Sequence, residues 1–485
     1  MPDRPNIVFL FPDQLRHDML DCYGHPAAIT PNIDALAAGG TRFANCTSTN
    51  PVCLPARAGI ITGGYCGQHH CHSNGNLLSR DAVCWPALLR DSGYYTALVG
   101  KLHLWEQYRD PGFTPVDHGF QYAQLVEGKA SFANGVEASG WYFDILRDRG
   151  LPLPHPFAGD PDCRRVGSAR ISEYGEMDHI DGVIGARAVR QILEGRLLSK
   201  RRDQPFCMQV GLCSPHEAYD PPQECFDLYA GVELPDPVFD PAHNRTKPPA
   251  FQAYVEACAR KTGFPLEGYD VDALERIRFM RRCYLATVTH VDRQVGRIVE
   301  ALQEAGVYEN TAILFLSDHG EYAGNRGGIQ KGLFLYEDNL HVPLILHAPF
   351  LGAAPGVAEG LVQNIDVFAT VLDLAGLPIP EGTLSRSLVP LVRDPSATVR
   401  DAAFAESFDR KSIRRGRYKL IVEADPAAVE LYDLQADPGE TVNLARDPAD
   451  PDRPTRDPAV LAVMNDLLQR LVQWQRDCEG VPFRP

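Results

Sequence analysis

The sequence has no uninterrupted apolar run approaching the ~20 residues that a membrane-spanning helix requires. Positive charge is also scarce. Lys and Arg number 47 against 63 Asp and Glu, for a net charge of −16, which argues against nucleic acid and anionic membranes as partners. No internal repeat and no low-complexity tract occurs, so solenoids and flexible arrays are excluded. Only Met1-Pro2-Asp3-Arg4-Pro5 precede the first apolar run, and nothing in them resembles a leader. The 13 cysteines are odd in number and scattered, which fits reduced thiols better than a disulfide framework. A cytoplasmic protein is expected.

What is present is ordinary globular material: 485 residues, 44% hydrophobic and 23% charged, enough for two domains of unequal size. Asn6–Phe11, Tyr95–Val99, Phe206–Leu212, Thr311–Leu316 and Val342–Leu346 are continuous apolar runs, as expected for strands covered on both faces. Helical patterns separate them. Thr30 is expected to cap a helix that begins at Pro31. Trp85–Asp91 and Val183–Leu198 follow, and Asp270–Ala305 carries a stripe of Tyr284, Val288, Val291, Val295, Ile298 and Leu302.

Strands alternating with helices imply a largely parallel sheet sandwiched by helices, an α/β class. In such sheets the site lies beyond the carboxyl ends of the strands. Asp13, Lys101, His216 and Asp318 each stand within a few residues of such an end, so one rim should collect them. Near Gly376-Leu377-Pro378 the pattern changes: Arg417–Val422 and Glu430–Asp433 alternate like antiparallel strands, and Val460–Trp474 is an amphipathic helix. Two domains are therefore expected, a catalytic α/β unit over 1–375 and a smaller α+β unit over 376–485. Residues 105–180 and 215–270 are irregular, and specificity should reside there.

Cys53-Leu54-Pro55-Ala56-Arg57 reads as a loop entering a helix, with Pro55 in its first turn and Gly63-Gly64 as its stop. The thiol then lies at a helix N-terminus, where backbone N–H groups favour an anion, and Arg57 adds a planar cation one turn on. The plain alternative is a buried structural thiol beside a turn proline. Asp13-Gln14 and Asp318-His319 offer carboxylates, an amide oxygen and an imidazole, a set for a hard cation shifted toward transition metals. Either aspartate alone is more simply a turn cap; two such pairs on one rim favour the ion. The Cys66–His72 run invites a zinc reading, but its spacings match no common closed zinc site.

These residues together resemble the signature of the formylglycine-dependent sulfatase family, in the alkaline-phosphatase-like superfamily: Cys53-x-Pro55-x-Arg57 with Thr62-Gly63, Gly100-Lys101-x-His103, Pro215-His216, and Gln330-Lys331-Gly332. Arg417-Tyr418-Lys419 through Asn443-Leu444 resembles the family's C-terminal module, so the resemblance spans nearly the whole chain. It implies a divalent cation, usually calcium with manganese open, on Asp13, Gln14, residue 53, Asp318 and His319. It implies Cys53 oxidised to formylglycine by a formylglycine-generating enzyme, Lys101 and Lys331 on the sulfate, His103 against the modified residue, His216 near the leaving oxygen, and Asn74 near the anion. The chain departs from the commonest pattern at Ala56, where serine prevails, and in its Asp-Gln and Asp-His pairs. The Asp-His form occurs in phosphonate monoester hydrolases and choline-sulfatase-like enzymes.

The resemblance leaves three functions open: hydrolysis of a small or aryl sulfate ester, hydrolysis of a phosphonate monoester or phosphodiester on the same scaffold, or a catalytically inactive metal-binding homologue. Lys101-x-His103 favours the first, and the intact Cys53 core speaks against the last. The sequence leaves homo-oligomerisation open.

Overall fold

The computed structural model describes residues 4–104, 118–129, 141–154, 166–194, 204–425, 428–448 and 450–480. Its central sheet has nine strands: β1 (Asn6–Asp13), β2 (Thr41–Thr47), β3 (Tyr95–Gly100), β4 (Tyr122–Leu125), β5 (Phe206–Pro215), β6 (Thr311–Leu316), β7 (His341–Val342), β8 (Leu344–His347) and β9 (Gly356–Gln363). Their order is β4-β3-β5-β1-β6-β8-β2-β7, with β9 on β2. The first five of that order run parallel, β8 runs antiparallel to both β6 and β2, and β9 is parallel to β2.

All eight residues of β1 are buried, because the sheet is covered on both faces. Its side chains divide by alternation: Val8 and Leu10 join one core with Ile313 and Phe315, while Ile7, Phe9 and Phe11 join the other with Leu314 and Leu316. The Val271–Glu304 helix and the Ile180–Leu193 helix cover the first face. The expected stripe on the long helix is buried throughout.

Several expectations change. Thr30 does not cap the Pro31–Gly39 helix with its side chain. Asp292 does so from the long helix, accepting from Asn32 N (2.9 Å) and Ile33 N (2.8 Å). The single strand expected over Val342–Leu346 is split at Pro343, which has no N–H for a ladder. The irregular stretch after Trp105 contains β4 and a Trp141–Asp148 helix, and 105–117, 130–140 and 155–165 lie outside the described residues. The helix expected over Val183–Leu198 spans Ile180–Leu193, with 195–203 likewise outside.

Beyond the main sheet, β10 (Ala403–Ser407), β11 (Arg410–Arg415), β12 (Tyr418–Val422) and β13 (Glu430–Asp433) form an antiparallel meander. The Pro458–Gly480 helix lays Leu467, Leu471 and Trp474 against it. Trp474 also meets Tyr65, just after the Cys53 helix, with ring centroids 5.0 Å apart. A buried ion network ties this smaller unit to the large one: Arg326 reaches Glu440 (2.9 Å), and Lys419 reaches Glu337 and Glu440 (both 2.8 Å). Among the described residues no helix is long and apolar enough to cross a membrane, and the twelve cysteines are free.

Candidate active site

Four strand ends and one helix build the site. Asp13 is the last residue of β1, Lys101 follows β3, His216 follows β5 and Asp318 follows β6. Parallel register carries all four to one rim. Close packing at the ends of β3 and β5 requires glycine: a Cβ on Gly100 (φ +92°) would lie 2.0 Å from Gly211 O, and one on Gly211 would lie 2.0 Å from Lys101 O. Lys101 is thereby held over Asp13 and contacts its Oδ2.

Cys53 is the first residue of the Cys53–Thr62 helix, which Gly63 ends in the left-handed region. Its Sγ lies 3.0 Å from His319 Nε2. One atom each from Asp13, Cys53, Asp318 and His319 falls within 4.8 Å of the others, and all four residues are buried. This donor set fits a divalent cation. His319 Nδ1 pairs with Gly320 O (2.9 Å) and so carries the proton, which leaves the Nε2 lone pair facing Cys53 and the carboxylates. Asp13 Oδ1 is buried with no hydrogen-bond partner. Burial raises the Asp13 carboxyl, but Lys101 overrides it and holds the group well below the carboxylate range. For Asp318, burial and the neighbouring Asp13 win, and its pKa is raised.

Arg57 is spent on those carboxylates rather than presented to solvent. Its Nε donates to Asp318 Oδ2 (2.7 Å), its Nη2 lies 3.8 Å from Asp13 Oδ1, and its guanidinium packs over Phe11 at 4.3 Å. Burial raises the Cys53 thiol, yet Lys331, His319 and Lys101 together bring it well below a free cysteine. That field suits any anionic oxygen or sulfur at position 53. His103 also faces the thiol; burial and then Lys101 lower it to about 4.

Lys331 Nζ donates to Gln14 Oε1 (2.9 Å) and to His216 Nε2 (2.8 Å). His216 Nδ1 pairs with Glu217 O (2.9 Å), which fixes the other nitrogen as an acceptor. Gln14 (φ 65°) donates its backbone N–H to Asp318 Oδ1 (3.0 Å), and its amide nitrogen donates to Glu217 and Glu321. The Gln14 side-chain oxygen thus points at Lys331. Asn74 accepts from Leu54 N (3.0 Å) and caps the helix start. Asp13, Arg57, Lys101, His103, Asp318, His319 and Lys331 therefore gather around Cys53, with His216 reached through Lys331 and Asn74 at the helix start.

Sequence reasoning missed the supporting acids. Glu127 Oε2 accepts from His103 N (2.9 Å); burial raises it to about 7. Glu321 is likewise raised to about 7, by burial and Glu217, whereas His216 and Lys331 outweigh burial to draw Glu217 down to about 2. Glu217 and Glu321 stand beside residues already singled out, which is the one signal that could have found them; Glu127 sits in an aperiodic segment and gives none. Tyr284, expected to be pure core, is buried but also donates to Gln14 O (2.6 Å). Among the described residues no metal-type cluster forms at Cys66–His72.

A mostly parallel sheet with acids, a thiol and cations at its carboxyl rim is the architecture of the alkaline-phosphatase-like superfamily, and the buried acid cluster is a candidate metal site. The sulfatase family model matches residues 5–377, and a model described as N-sulphoglucosamine sulphohydrolase, C-terminal, matches residues 324–472. The chain belongs to the sulfatase family and is a sulfuric ester hydrolase. It is 30% identical over 492 residues to a choline-sulfatase of Rhizobium meliloti (strain 1021), covering 99% of this chain and 89% of that one. It is 28% identical over 465 residues to an arylsulfatase of Clostridium perfringens (strain 13 / Type A), covering 91% and 90%. Among solved structures, the phosphonate monoester hydrolase of Agrobacterium radiobacter superposes with a TM-score of 0.74 at 25% identity, covering 98% and 96%.

Proposed function

We propose that this chain hydrolyses a small or aryl sulfate ester, with residue 53 as formylglycine and one divalent cation, calcium or manganese, held against residue 53 by Asp13, Asp318 and His319, and by Gln14 once its side-chain oxygen turns from Lys331. The convergence of Asp13, Cys53, Asp318 and His319 in one buried cluster carries this reading. The hydrated aldehyde supplies a nucleophilic oxygen and a second hydroxyl able to expel sulfate, and the cation supplies positive charge for the sulfate oxygens.

The chain's own residues do the rest. Lys101 and Lys331 neutralise the non-bridging oxygens as charge shifts onto them. His103, kept neutral, can take a proton from residue 53. Lys331 donates to His216 across 2.8 Å, and the pair is placed to pass a proton to the departing alcohol oxygen. Arg57 keeps both carboxylates in place from below. On this reading residues 1–375 carry the chemistry and residues 376–485 brace it.

A second reading, phosphonate monoester or phosphodiester hydrolysis, has its own support in the Asp318-His319 pair and the phosphonate hydrolase neighbour. Protein coexpressed with a formylglycine-generating enzyme should turn over 4-nitrophenyl sulfate, and Cys53→Ala should abolish that turnover. Faster turnover of the matching phosphonate ester would select the second reading. Full activity in Cys53→Ala would end both.

A further inference from the structure

A second cluster of ligand-type side chains lies behind the His216 loop, away from residue 53. His179 is the N-cap of the Ile180–Leu193 helix, Asp181 is in its first turn, and His290 projects from the middle of the Val271–Glu304 helix. One ligand atom from each falls within 4.8 Å of the other two, and none of the three side chains is more than 2% exposed. Three buried polar atoms in this cluster have no hydrogen-bond partner: His179 Nε2, Asp181 Oδ2 and His290 Nδ1. Leaving such atoms unpaired in an interior is costly, so each calls for an explanation.

The surrounding contacts prepare the cluster for a ligand. His290 Nε2 pairs with Glu176 O at 3.1 Å and therefore carries the proton, so Nδ1 keeps its lone pair. Metal-bound histidines are commonly oriented in this way. Asp181 uses Oδ1 to accept from Cys213 N (2.6 Å) and Ser214 N (3.4 Å), and Oδ2 remains free. His179 Nδ1 accepts from Asp181 N (3.4 Å) and lies 3.7 Å from Asp181 Oδ2, so its lone pair faces the cluster, while Nε2 carries the proton and is oriented by Asp220 at 3.6 Å. The nearby cation, Lys129, is already engaged by Asp220 Oδ1 at 2.6 Å.

We propose that His179, Asp181 and His290 bind a second divalent ion of the zinc class, distinct from the ion at residue 53. Two imidazoles and a carboxylate, with water in the fourth place, are a donor set for Zn²⁺ or Co²⁺ rather than calcium. The ion would join the two helices that cover one sheet face. Through Asp181 it would also fix the end of β5, from which His216 departs.

Cobalt titration of the chelator-stripped full chain tests this, because tetrahedral cobalt absorbs visibly. An Asp13→Asn/Asp318→Asn variant, in which the site at residue 53 is disabled, should still bind one equivalent of Co²⁺ with visible absorption, and Zn²⁺ should displace it. His290→Gln and, separately, His179→Gln should each weaken that binding by about 100-fold, with circular dichroism checking that the variants fold. Failure of the double-aspartate variant to bind cobalt would overturn the proposal. So would cobalt binding unchanged in either folded histidine variant, the result expected if the three side chains only share protons among themselves.

Discussion

Arg57 Nε donates to Asp318 Oδ2 at 2.7 Å, with the two side chains 1% and 0% exposed. A cation sealed beneath two carboxylates is a fixed support. Removing one partner of a buried ion pair costs about 3–5 kcal/mol, because the other charge is left unpaired. Arg57→Met should therefore lose activity and unfold at clearly lower denaturant. An unchanged unfolding midpoint would show that Asp318 does not depend on Arg57.

Gly211 tests placement without touching a charged group. A methyl there would lie 2.0 Å from Lys101 O, so Gly211→Ala must push the ends of β3 and β5 apart. Turnover of an aryl sulfate should fall at least as far as it does in Lys101→Ala. Near-normal turnover would mean that the position of Lys101 is not set by this contact.

Lys247 gives a pH signature for the joint between the two units. Its Nζ reaches Glu430 (3.5 Å) and Glu440 O (2.9 Å) and lies 4.4 Å from the Tyr336 ring centroid. Burial lowers it from 10.5 to about 8. Between those values the unfolded chain binds a proton that the folded chain lacks, so stability rises with pH across this window, by up to about 3 kcal/mol. Denaturant unfolding from pH 7.5 to 10 should show the rise in the wild type and a flatter curve in Lys247→Met. Parallel curves would refute the assignment.

His319 should govern metal choice. With an imidazole among oxygen donors the site should prefer Mn²⁺ over Ca²⁺ more than an all-oxygen site does. His319→Asn should shift reactivation of the chelator-treated enzyme toward calcium. An unaltered calcium-to-manganese ratio would place His319 outside the metal's ligands.

Much of this was legible before the structure, for specific reasons. β1, β3, β5 and β6 are apolar along their length because both faces are covered, so their runs and their polar ends were plain. Asp13, Lys101, His216 and Asp318 could be placed on one rim from topology alone. β2 and β9 were not seen, since each mixes polar and apolar residues with partial exposure. The reversed direction of β8 is a pairing property that no local run encodes. Arg57 was expected to face an oxyanion, and its burial under Asp318 depends on tertiary packing. Glu127, Glu217 and Glu321 support the site through contacts 24, 203 and 307 residues apart in sequence; only the nearness of Glu217 to His216 and of Glu321 to His319 hinted at two of them.

The most direct test is anomalous diffraction from manganese-soaked crystals of the coexpressed protein. A strong peak between Asp13 and Asp318, with an aldehyde hydrate at position 53 within coordinating reach, is the predicted result. Density for an unmodified thiol with no peak between the two carboxylates would contradict the account.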